Sequence, residues 1–356
     1  SIAAYSVSPD AEAPENAKFK VEYYDEAGES VKHTRYFDNK NNDDYPEDSR
    51  DHYWDPVALM SVEGDTKASK AVITLLADIE LEDTTILVDQ GKNLTIQSDS
   101  AAEDPYTITL TQTGTIAPNE GGSNAPGMDA ISITKDSTLT LNNVKVDIGV
   151  PEEGAGENAT QGIYNDGTLV LGQDATVTID GVSQNGINGS GALDIENAEL
   201  TVQNVAGTAV KAGATNISHS TVSATGTGAH GISVTDLTVT GDAAVTVDNA
   251  AYYGIRASGD VSMSGENTKV TVTNSSEGTI EGGEGAEPTT FSEIVLGSDS
   301  TSTISLTGTI SGEDIQVLGN GKTTVDGAAI TGNVTNAGTG AMTIANSAIN
   351  GNLASE

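Results

Sequence analysis

Residues 162–187 read GIYNDGTLVLGQDATVTIDGVSQNGI, and this stretch begins and ends with the same Gly-Ile pair. Between the two pairs lie two short apolar alternations, LVL at 169–171 and VTI at 177–179, each bounded by Gly, Asp or Asn. Alternation with a period of two is typical of β-strands, and Gly, Asn and Asp favour the turns between them. The stretch therefore predicts three short strands followed by a return to the starting position.

The Gly-Ile type of pair recurs along the chain. The apolar residues that anchor it are Ile131, Ile163, Ile187, Val210, Ile232, Ile255 and Ile280. Most steps are about 23 residues, and the longer first step contains VPEEGAGENAT, residues 150–160, which we interpret as an insertion. A repeat of this length buries its apolar side by coiling, so that each strand lies parallel to its counterpart, ~4.8 Å away, in the next turn. The pattern predicts an all-β fold: a single right-handed parallel β-helix with three strands and about 20–25 residues per coil.

Composition divides the chain into three regions. Nine of the fourteen aromatic residues lie in the first 54 residues, and FKVEYYDEAGESVKHTRYFD, residues 19–38, has the pattern of a β-hairpin. DPVALMSV, residues 55–62, places Asp before Pro and an apolar run, which is typical of a helix start. We predict an irregular N-terminal aromatic and acidic arm or small β-module over 1–54, a helical cap and lead-in over 55–70, and the β-helix over 71–356.

Charge and composition exclude several classes of partner. The chain has 52 Asp and Glu against 15 Lys and Arg, a formal net charge of −37. A polyanion is repelled by nucleic acid and by anionic membranes, and no stretch approaches the ~20 apolar residues that span a bilayer. There is no cysteine, so neither a disulfide framework nor Cys-ligated zinc is available. We therefore expect no nucleic-acid partner and no membrane insertion.

The two ends of the sequence suggest where the protein acts and how it assembles. The chain starts with SIAAYS, and small residues there are typical of a mature chain whose signal peptide has been removed. AINGNLASE, at the other end, is too short and polar to cap a coil, and uncapped strand edges favour pairing with another chain. We expect an extracellular or cell-surface protein that has another copy of itself as a partner in a homopolymer.

The first coils carry a family resemblance. ITLLADIELEDTTILVDQGKNLTIQ, residues 73–97, resembles the opening coils of β-helix domains in secreted, surface-located repeat proteins of Gram-positive bacteria. Those domains belong to the pectate-lyase-like β-helix superfamily, and the later coils resemble bacterial adhesin passengers of that kind. The resemblance covers residues 70–350 approximately and rests on the style of the repeat. It implies a non-catalytic, adhesin-type surface protein.

Enzymes with this fold cleave acidic polysaccharides with clustered carboxylates and a basic residue. The polygalacturonase-like signature requires Asn-Thr-Asp, Asp-Asp, Gly-His-Gly and Arg-Ile-Lys. The one Asp-Asp pair here, Asp43-Asp44, lies outside the repeats, the nearest match to Gly-His-Gly is AHG at 229–231, and Arg-Ile-Lys is missing. We therefore expect that the protein is not an enzyme.

One column of the predicted β-helix suits a carbohydrate. Tyr164, Lys211 and Arg256 each follow an anchor directly, and Tyr252 and Tyr253 come just before one. Aromatic faces and fixed polar groups are the features with which proteins bind sugars. We predict a glycan-binding surface made of these five residues. The alternative is an ordinary ladder of outward side chains.

Residues 38–51, DNKNNDDYPEDSRD, are dense in oxygen ligands. Asp38, Asp43, Asp44, Glu47 and Asp48 are the candidate metal ligands, and the stretch lacks the Gly and Glu spacing of an EF-hand. An irregular calcium loop and a plain acidic loop both remain open. No cofactor is required by this interpretation, and calcium is the candidate ion.

The sequence thus favours a non-enzymatic extracellular structural or adhesive surface protein, which self-assembles into a filament or sheath through its ends and its N-terminal arm. The alternative is a monomeric carbohydrate-binding adhesin, which would bind a surface glycan without polymerising. A polysaccharide lyase or hydrolase is the third hypothesis, and the missing motifs disfavour it.

Overall fold

The computed structural model describes residues 4–7, 12–38, 53–58, 60, 68–116, 128–275, 292–299 and 301–356. The chain divides into two compact units. The first comprises Ser1–Ser183 with Ser190–Ala192, and the second comprises Gln184–Gly189 with Leu193–Glu356. No helix among the described residues is long and apolar enough to span a bilayer.

The first unit contains one short helix and a series of short strands. Its elements in chain order are β1 (Ala4–Val7), β2 (Phe19–Tyr24), β3 (Val31–Phe37), α1 (Asp55–Ala58), β4 (Lys70–Leu75), β5 (Ile79–Glu82), β6 (Ile86–Val88), β7 (Asn93–Ser98), β8 (Thr107–Thr111), β9 (Asp129–Ile133), β10 (Thr138–Asn142), β11 (Lys145–Gly149), β12 (Gln161–Asn165), β13 (Thr168–Leu171) and β14 (Thr176–Asp180).

From β4 onward these strands form parallel coils of three. β7 pairs in parallel with β4 and β10, and β10 pairs in turn with β13, so each strand meets the third strand along the chain. The register stacks Ala71, Leu94, Leu139 and Leu169 in one fully buried column. Each buried Leu of such a column contributes roughly 1.5–3 kcal/mol through the hydrophobic effect. Alternation of inward apolar residues is therefore what holds the coil together.

The N-terminal strands close the first edge of these coils. β2 pairs antiparallel with β3 as the predicted hairpin, which is confirmed, and β2 also pairs antiparallel with β4. The aromatic residues of the region form a small core of their own. Phe19 stacks on Phe37 at 4.9 Å between ring centroids, and the Trp54 ring lies 5.1 Å from that of Phe19. α1 occupies the start of the predicted cap, and its Pro56 carbonyl accepts a hydrogen bond from the Tyr23 hydroxyl at 2.9 Å.

The second unit consists of strands throughout its described part. These are β15 (Ile187–Asn188), β16 (Ala192–Glu196), β17 (Glu199–Val205), β18 (Val210–Lys211), β19 (Thr215–Ser218), β20 (Thr221–Thr227), β21 (Ile232–Val234), β22 (Leu237–Thr240), β23 (Ala244–Ala250), β24 (Ile255–Ala257), β25 (Val261–Met263), β26 (Lys269–Thr273), β27 (Ile294–Leu296), β28 (Ile304–Val317), β29 (Thr323–Asn336), β30 (Met342–Ala345), β31 (Ala348–Asn350) and β32 (Leu353–Ser355).

Here too each strand from β15 to β25 pairs in parallel with the third strand after it, as in β17, β20 and β23. The prediction of an all-β parallel β-helix with three strands per coil is therefore confirmed in both units. The last coils contain fewer residues. Ile330 pairs with Ile349, which is a step of 19 residues, and the hydrogen bond from the Asn352 backbone N–H to the Asn333 side chain spans the same step. In these coils β28 and β29 run as single strands of 14 residues through all three faces.

One predicted anchor was wrong. Ile280 lies outside the described residues, and the strand partner of Ile255 is Ile294. The sequence offers a Gly-Thr-Ile triplet at 278–280 that mimics an anchor at the expected distance. The repeat period does not limit how long an insertion at a corner can be. A prediction from the spacing alone therefore chose Ile280, which lies at the regular distance, and not the later Ile294.

The corners of the second unit depend on residues that tolerate left-handed backbone. Asn204, Gly226, Asn249 and Asn274 have φ values of 54°, 65°, 60° and 51°. The register pairs their flanking residues, so the first three occupy the same corner on successive coils. Asn and Gly adopt this conformation at little cost, whereas it costs most other residues about 1–2 kcal/mol. The recurring Asn and Gly of the sequence therefore mark the corners.

Candidate functional site

The predicted column on the outer face exists in the second unit. Lys211 pairs with Ser233, and Ser233 pairs with Arg256, on the consecutive strands β18, β21 and β24. Two strand spacings separate the two cations along this column, which is about 10 Å. Lys211 is exposed and Arg256 is half-buried. The predicted alignment of Lys211 with Arg256 is therefore confirmed, whereas ligand binding at this column stays a prediction.

Three aromatic rings meet at the corner that precedes these strands. The His230 imidazole stacks on the Tyr253 ring at 5.3 Å between centroids with an interplanar angle of 17°. The Tyr252 ring meets the same imidazole edge-on at 5.5 Å and 64°. The Tyr253 backbone N–H donates a hydrogen bond to His230 Nδ1 at 3.2 Å. His230 and Tyr253 occupy equivalent positions one coil apart, directly before Gly231 and Gly254, which explains why their rings stack.

Arg256 extends this stack by a cation–π contact. The centre of its guanidinium lies 5.7 Å from the centroid of the Tyr253 ring. Such a contact at a partly exposed position stabilises the pair by roughly 0.5–1 kcal/mol and holds the guanidinium beside the ring. We call His230, Tyr252, Tyr253 and Arg256 the aromatic–cationic cluster. All four side chains are half-buried, so each has a face in the protein and another accessible to a ligand.

The charge state of the cluster follows from its surroundings. The pKa of His230 is lowered to about 4, chiefly because the ring is partly buried and also because Arg256 and Lys211 are positively charged. The imidazole is therefore neutral at pH 7. Because its Nδ1 accepts the hydrogen bond from Tyr253, its proton is carried by Nε2. The cluster thus has two permanent cations nearby and no charge on its histidine.

The described residues place no carboxylate against these two cations. In this part of the chain neither Lys211 nor Arg256 forms an ion pair, whereas Lys20 does so with Glu22 at 3.6 Å. Ser233 and Val295, their partners on adjacent strands, are uncharged. Both cations are therefore without a direct countercharge among the described residues.

The fifth predicted ligand-binding residue is Tyr164. Tyr164 belongs to the first unit, on β12, where its hydroxyl donates a hydrogen bond to Asp166 at 2.8 Å. Its partner in the register is Ser132 of β9. Lys211, Tyr252, Tyr253 and Arg256 all belong to the second unit.

His230 was missing from the predicted ligand-binding set. Its sequence context, AHG at 229–231, is only a partial match to a catalytic Gly-His-Gly and did not indicate ligand binding. The signal that identifies it is positional, since it precedes an anchor by the same two residues as Tyr253 does.

The structure does not test the predicted metal site. Asp38 follows β3 and is half-buried, whereas Asp43, Asp44, Glu47 and Asp48 lie outside the described residues. Among the described residues there is no group of three or more His, Asp or Glu side chains that would hold a metal ion. Calcium binding by residues 38–51 therefore stays a prediction.

A buried carboxyl group lies at a corner of the first unit. The Asp129 side chain is fully buried; its Oδ1 accepts a hydrogen bond from Gln161 Nε2 at 2.8 Å, and its Oδ2 has no partner. Burial raises the pKa of Asp129 to about 7, and the bond from Gln161 partly opposes that shift. The first unit also contains the buried Gln112 amide, which lacks partners among the described residues too. A lone, inaccessible carboxyl group is poorly placed to bind a ligand.

Comparisons with protein-family models, with curated proteins and with solved structures found no match to this chain. The chemistry of the site is therefore argued from its geometry. Flat aromatic faces beside a fixed guanidinium bind a ring-shaped ligand with a polar rim, by stacking on the rings and hydrogen bonding to the cation. The aromatic–cationic cluster is in this respect suited to a sugar.

Proposed function

We propose that this chain is a non-enzymatic, adhesive β-helix protein of the extracellular surface, and that it binds a glycan at the aromatic–cationic cluster of its second unit. The observation that supports this most directly is the convergence of Tyr252, Tyr253 and Arg256 around His230 on the outer face. The resemblance of the coils to adhesin-type members of the pectate-lyase-like superfamily agrees with this proposal.

The cluster is better suited to binding than to catalysis. A glycosidase needs two carboxyl groups on either side of the scissile bond, and a lyase needs a base near a sugar carbon. The titratable groups that the structure places around His230 are two tyrosines and two cations, and the imidazole is held by Tyr253 through both stacking and a hydrogen bond. Rigid aromatic platforms of this kind increase affinity because little side-chain entropy is lost on binding.

A glycan array probed with the full chain, followed by calorimetric titration, tests this function. Tyr252→Ala removes a ring without removing the Tyr253–His230 stack, and we expect an affinity loss of about tenfold, equivalent to ~1.4 kcal/mol. Tyr106→Ala is the matched control, since Tyr106 is a half-buried tyrosine of the first unit. Equal affinity of both variants and the wild type would contradict the proposal.

Self-association is a second candidate function, favoured by an exposed apolar residue on β32. The Leu353 side chain is 54% exposed, and no other large apolar side chain among the described residues is classed as exposed. An exposed large apolar side chain favours contact with another chain. Electron microscopy and sedimentation of the wild type and of Leu353→Lys test this. Oligomers that the substitution abolishes would support self-association, and a monomer at all concentrations would exclude it.

A further inference from the structure

Cations are scarce in this protein, and their distribution is informative. The chain has 15 Lys and Arg against 52 Asp and Glu, and beyond residue 150 the basic residues are Lys211, Arg256, Lys269 and Lys322. Two of these four lie in one register column with Ser233 between them. The same column adjoins the aromatic–cationic cluster, because Arg256 packs on Tyr253.

The two cations of this column have no carboxylate partner among the described residues, although the chain as a whole is strongly negative. Neither Lys211 nor Arg256 forms an ion pair among the described residues, and the neighbouring imidazole of His230 is neutral at pH 7. At physiological ionic strength the Debye length is ~8 Å, so distant carboxylates are screened more strongly than two adjacent cations. An anion that reaches this face therefore meets a local attraction.

Arg256 is a suitable partner for an anion with paired oxygens. A guanidinium carries its N–H groups in a planar fork, from which a carboxylate or sulfate accepts two parallel hydrogen bonds. The contact with Tyr253, whose ring stacks on His230, holds the guanidinium beside the aromatic rings before any ligand arrives. Such preorganisation lowers the entropic cost of binding.

We propose that the aromatic–cationic cluster recognises an acidic sugar, whose ring packs on Tyr252 and whose carboxylate or sulfate pairs with Arg256, with Lys211 as the second cation. This inference rests on the proposed glycan binding and adds the class of ligand. His230 acts as a positioning residue for Tyr253 and Arg256 and does not itself pair with the anion.

The proposal is tested by measuring how the full chain binds four kinds of oligosaccharide. These contain uronic acids, the same uronic acids after carboxyl reduction, sulfate groups, or neutral sugars only. We expect binding to an acidic oligosaccharide that falls at least about tenfold when its carboxyl groups are reduced, and that weakens as NaCl is raised from about 50 to about 300 mM. Binding to sulfated sugars alone would identify sulfate as the anion.

Three charge-changing variants locate the effect. Arg256→Gln should reduce affinity for the acidic sugar about tenfold or more, and Arg256→Lys should restore only part of it, because lysine keeps the charge and lacks the planar fork. Lys211→Gln should reduce affinity a few-fold. Lys269→Gln is the control, because it removes the same charge from an exposed position on β26. We expect it to leave the affinity unchanged.

Three outcomes overturn the inference in distinguishable ways. Binding of neutral and acidic sugars with the same affinity, unaffected by Arg256→Gln but lost in Tyr252→Ala, would refute the choice of ligand class and keep the proposed function. No binding to any oligosaccharide would refute both. A uniform loss in Arg256→Gln and Lys269→Gln would show a long-range effect of charge and not a site.

Discussion

Replacing Asp129 by asparagine should stabilise the protein at neutral and alkaline pH. The Asp129 carboxyl group is fully buried, and its Oδ2 has no hydrogen-bond partner. Its Oδ1 accepts a hydrogen bond from Gln161 Nε2 at 2.8 Å, and an asparagine amide oxygen would keep that bond. The substitution therefore removes a buried charge without removing the one contact that satisfies the side chain.

The magnitude follows from the pKa of Asp129, which burial raises from 3.8 to about 7. The folded state binds the proton more tightly than the unfolded state, so the free energy of unfolding falls as pH rises from 3.8 to about 7 and stays low above it. One pKa unit corresponds to 1.36 kcal/mol, so burying the ionised carboxylate costs at most roughly 4 kcal/mol above pH 7. Asp129→Asn recovers part of that cost, because the asparagine N–H2 group takes the place of Oδ2 and is buried without an acceptor among the described residues.

Urea unfolding at pH 5.5 and pH 8.5 measures the effect, since both values lie above the pI of 4.1, where the chain keeps its solubilising charge. The Asp129→Asn variant should be more stable than the wild type at pH 8.5 and closer to it at pH 5.5, where the gain from removing the carboxylate is smaller and the buried amide N–H2 group still lacks an acceptor among the described residues. Its advantage should grow by about 2 kcal/mol between them, because roughly 1.5 pH units of this interval lie below the folded pKa. Asp147→Asn, which changes an exposed aspartate of the neighbouring β11, is the control.

The reasoning would be refuted by an advantage of Asp129→Asn that is the same at the two pH values. It would also be refuted if Asp147→Asn gained stability with pH to the same extent, since the gain would then come from reducing the net charge. A lower stability of Asp129→Asn at pH 8.5 would show that the ionised carboxylate has a stabilising partner.

Three further predictions concern the second unit. Asn249→Ala should lower the free energy of unfolding by about 1–2 kcal/mol in urea titrations, because φ is 60° at this residue and alanine adopts that conformation at a cost. Asn249→Gly should lower it by much less. Equal losses in the two variants would mean that the side chain and not the backbone conformation matters. Glu293→Ala should lower the free energy of unfolding by about 2 kcal/mol or more, since the buried carboxylate accepts hydrogen bonds from the backbone N–H groups of Ser275 and Glu313. The control is Glu313→Ala, at an exposed position, which should leave stability nearly unchanged. An unchanged stability of Glu293→Ala would contradict this explanation. Glycan affinity measured by calorimetry should stay constant from pH 5.5 to 8.5, because the pKa of His230 is about 4, and a change centred near pH 6.5 would show that the imidazole titrates normally.

The repeat made much of the fold predictable. Inward apolar residues alternate with outward polar ones, and the anchors return at nearly constant steps, so the spacing alone predicted the pairing of Ile187, Val210, Ile232 and Ile255. In a β-solenoid each coil contacts mainly its neighbours, so a local period determines long-range pairing. The alignment of Lys211 with Arg256 followed from the same period.

The repeat period did not predict the insertions that interrupt the coils. The strand partner of Ile255 is Ile294 and not Ile280, because an insertion at a corner changes the sequence distance without changing the stacking. The repeat also does not predict the antiparallel pairing of β2 with β4, since the N-terminal strands carry no anchor residue.

The amino-acid sequence by itself determined the architecture of this protein: its strands, the three-strand coil and the scarcity of cations. The tertiary structure alone decided which side chains share an environment. It stacked His230 on Tyr253, packed Arg256 against the same ring and enclosed Asp129 away from water. The physical reason is that a period specifies which backbone positions lie side by side, whereas burial and ring contacts depend on how corners and insertions pack around them.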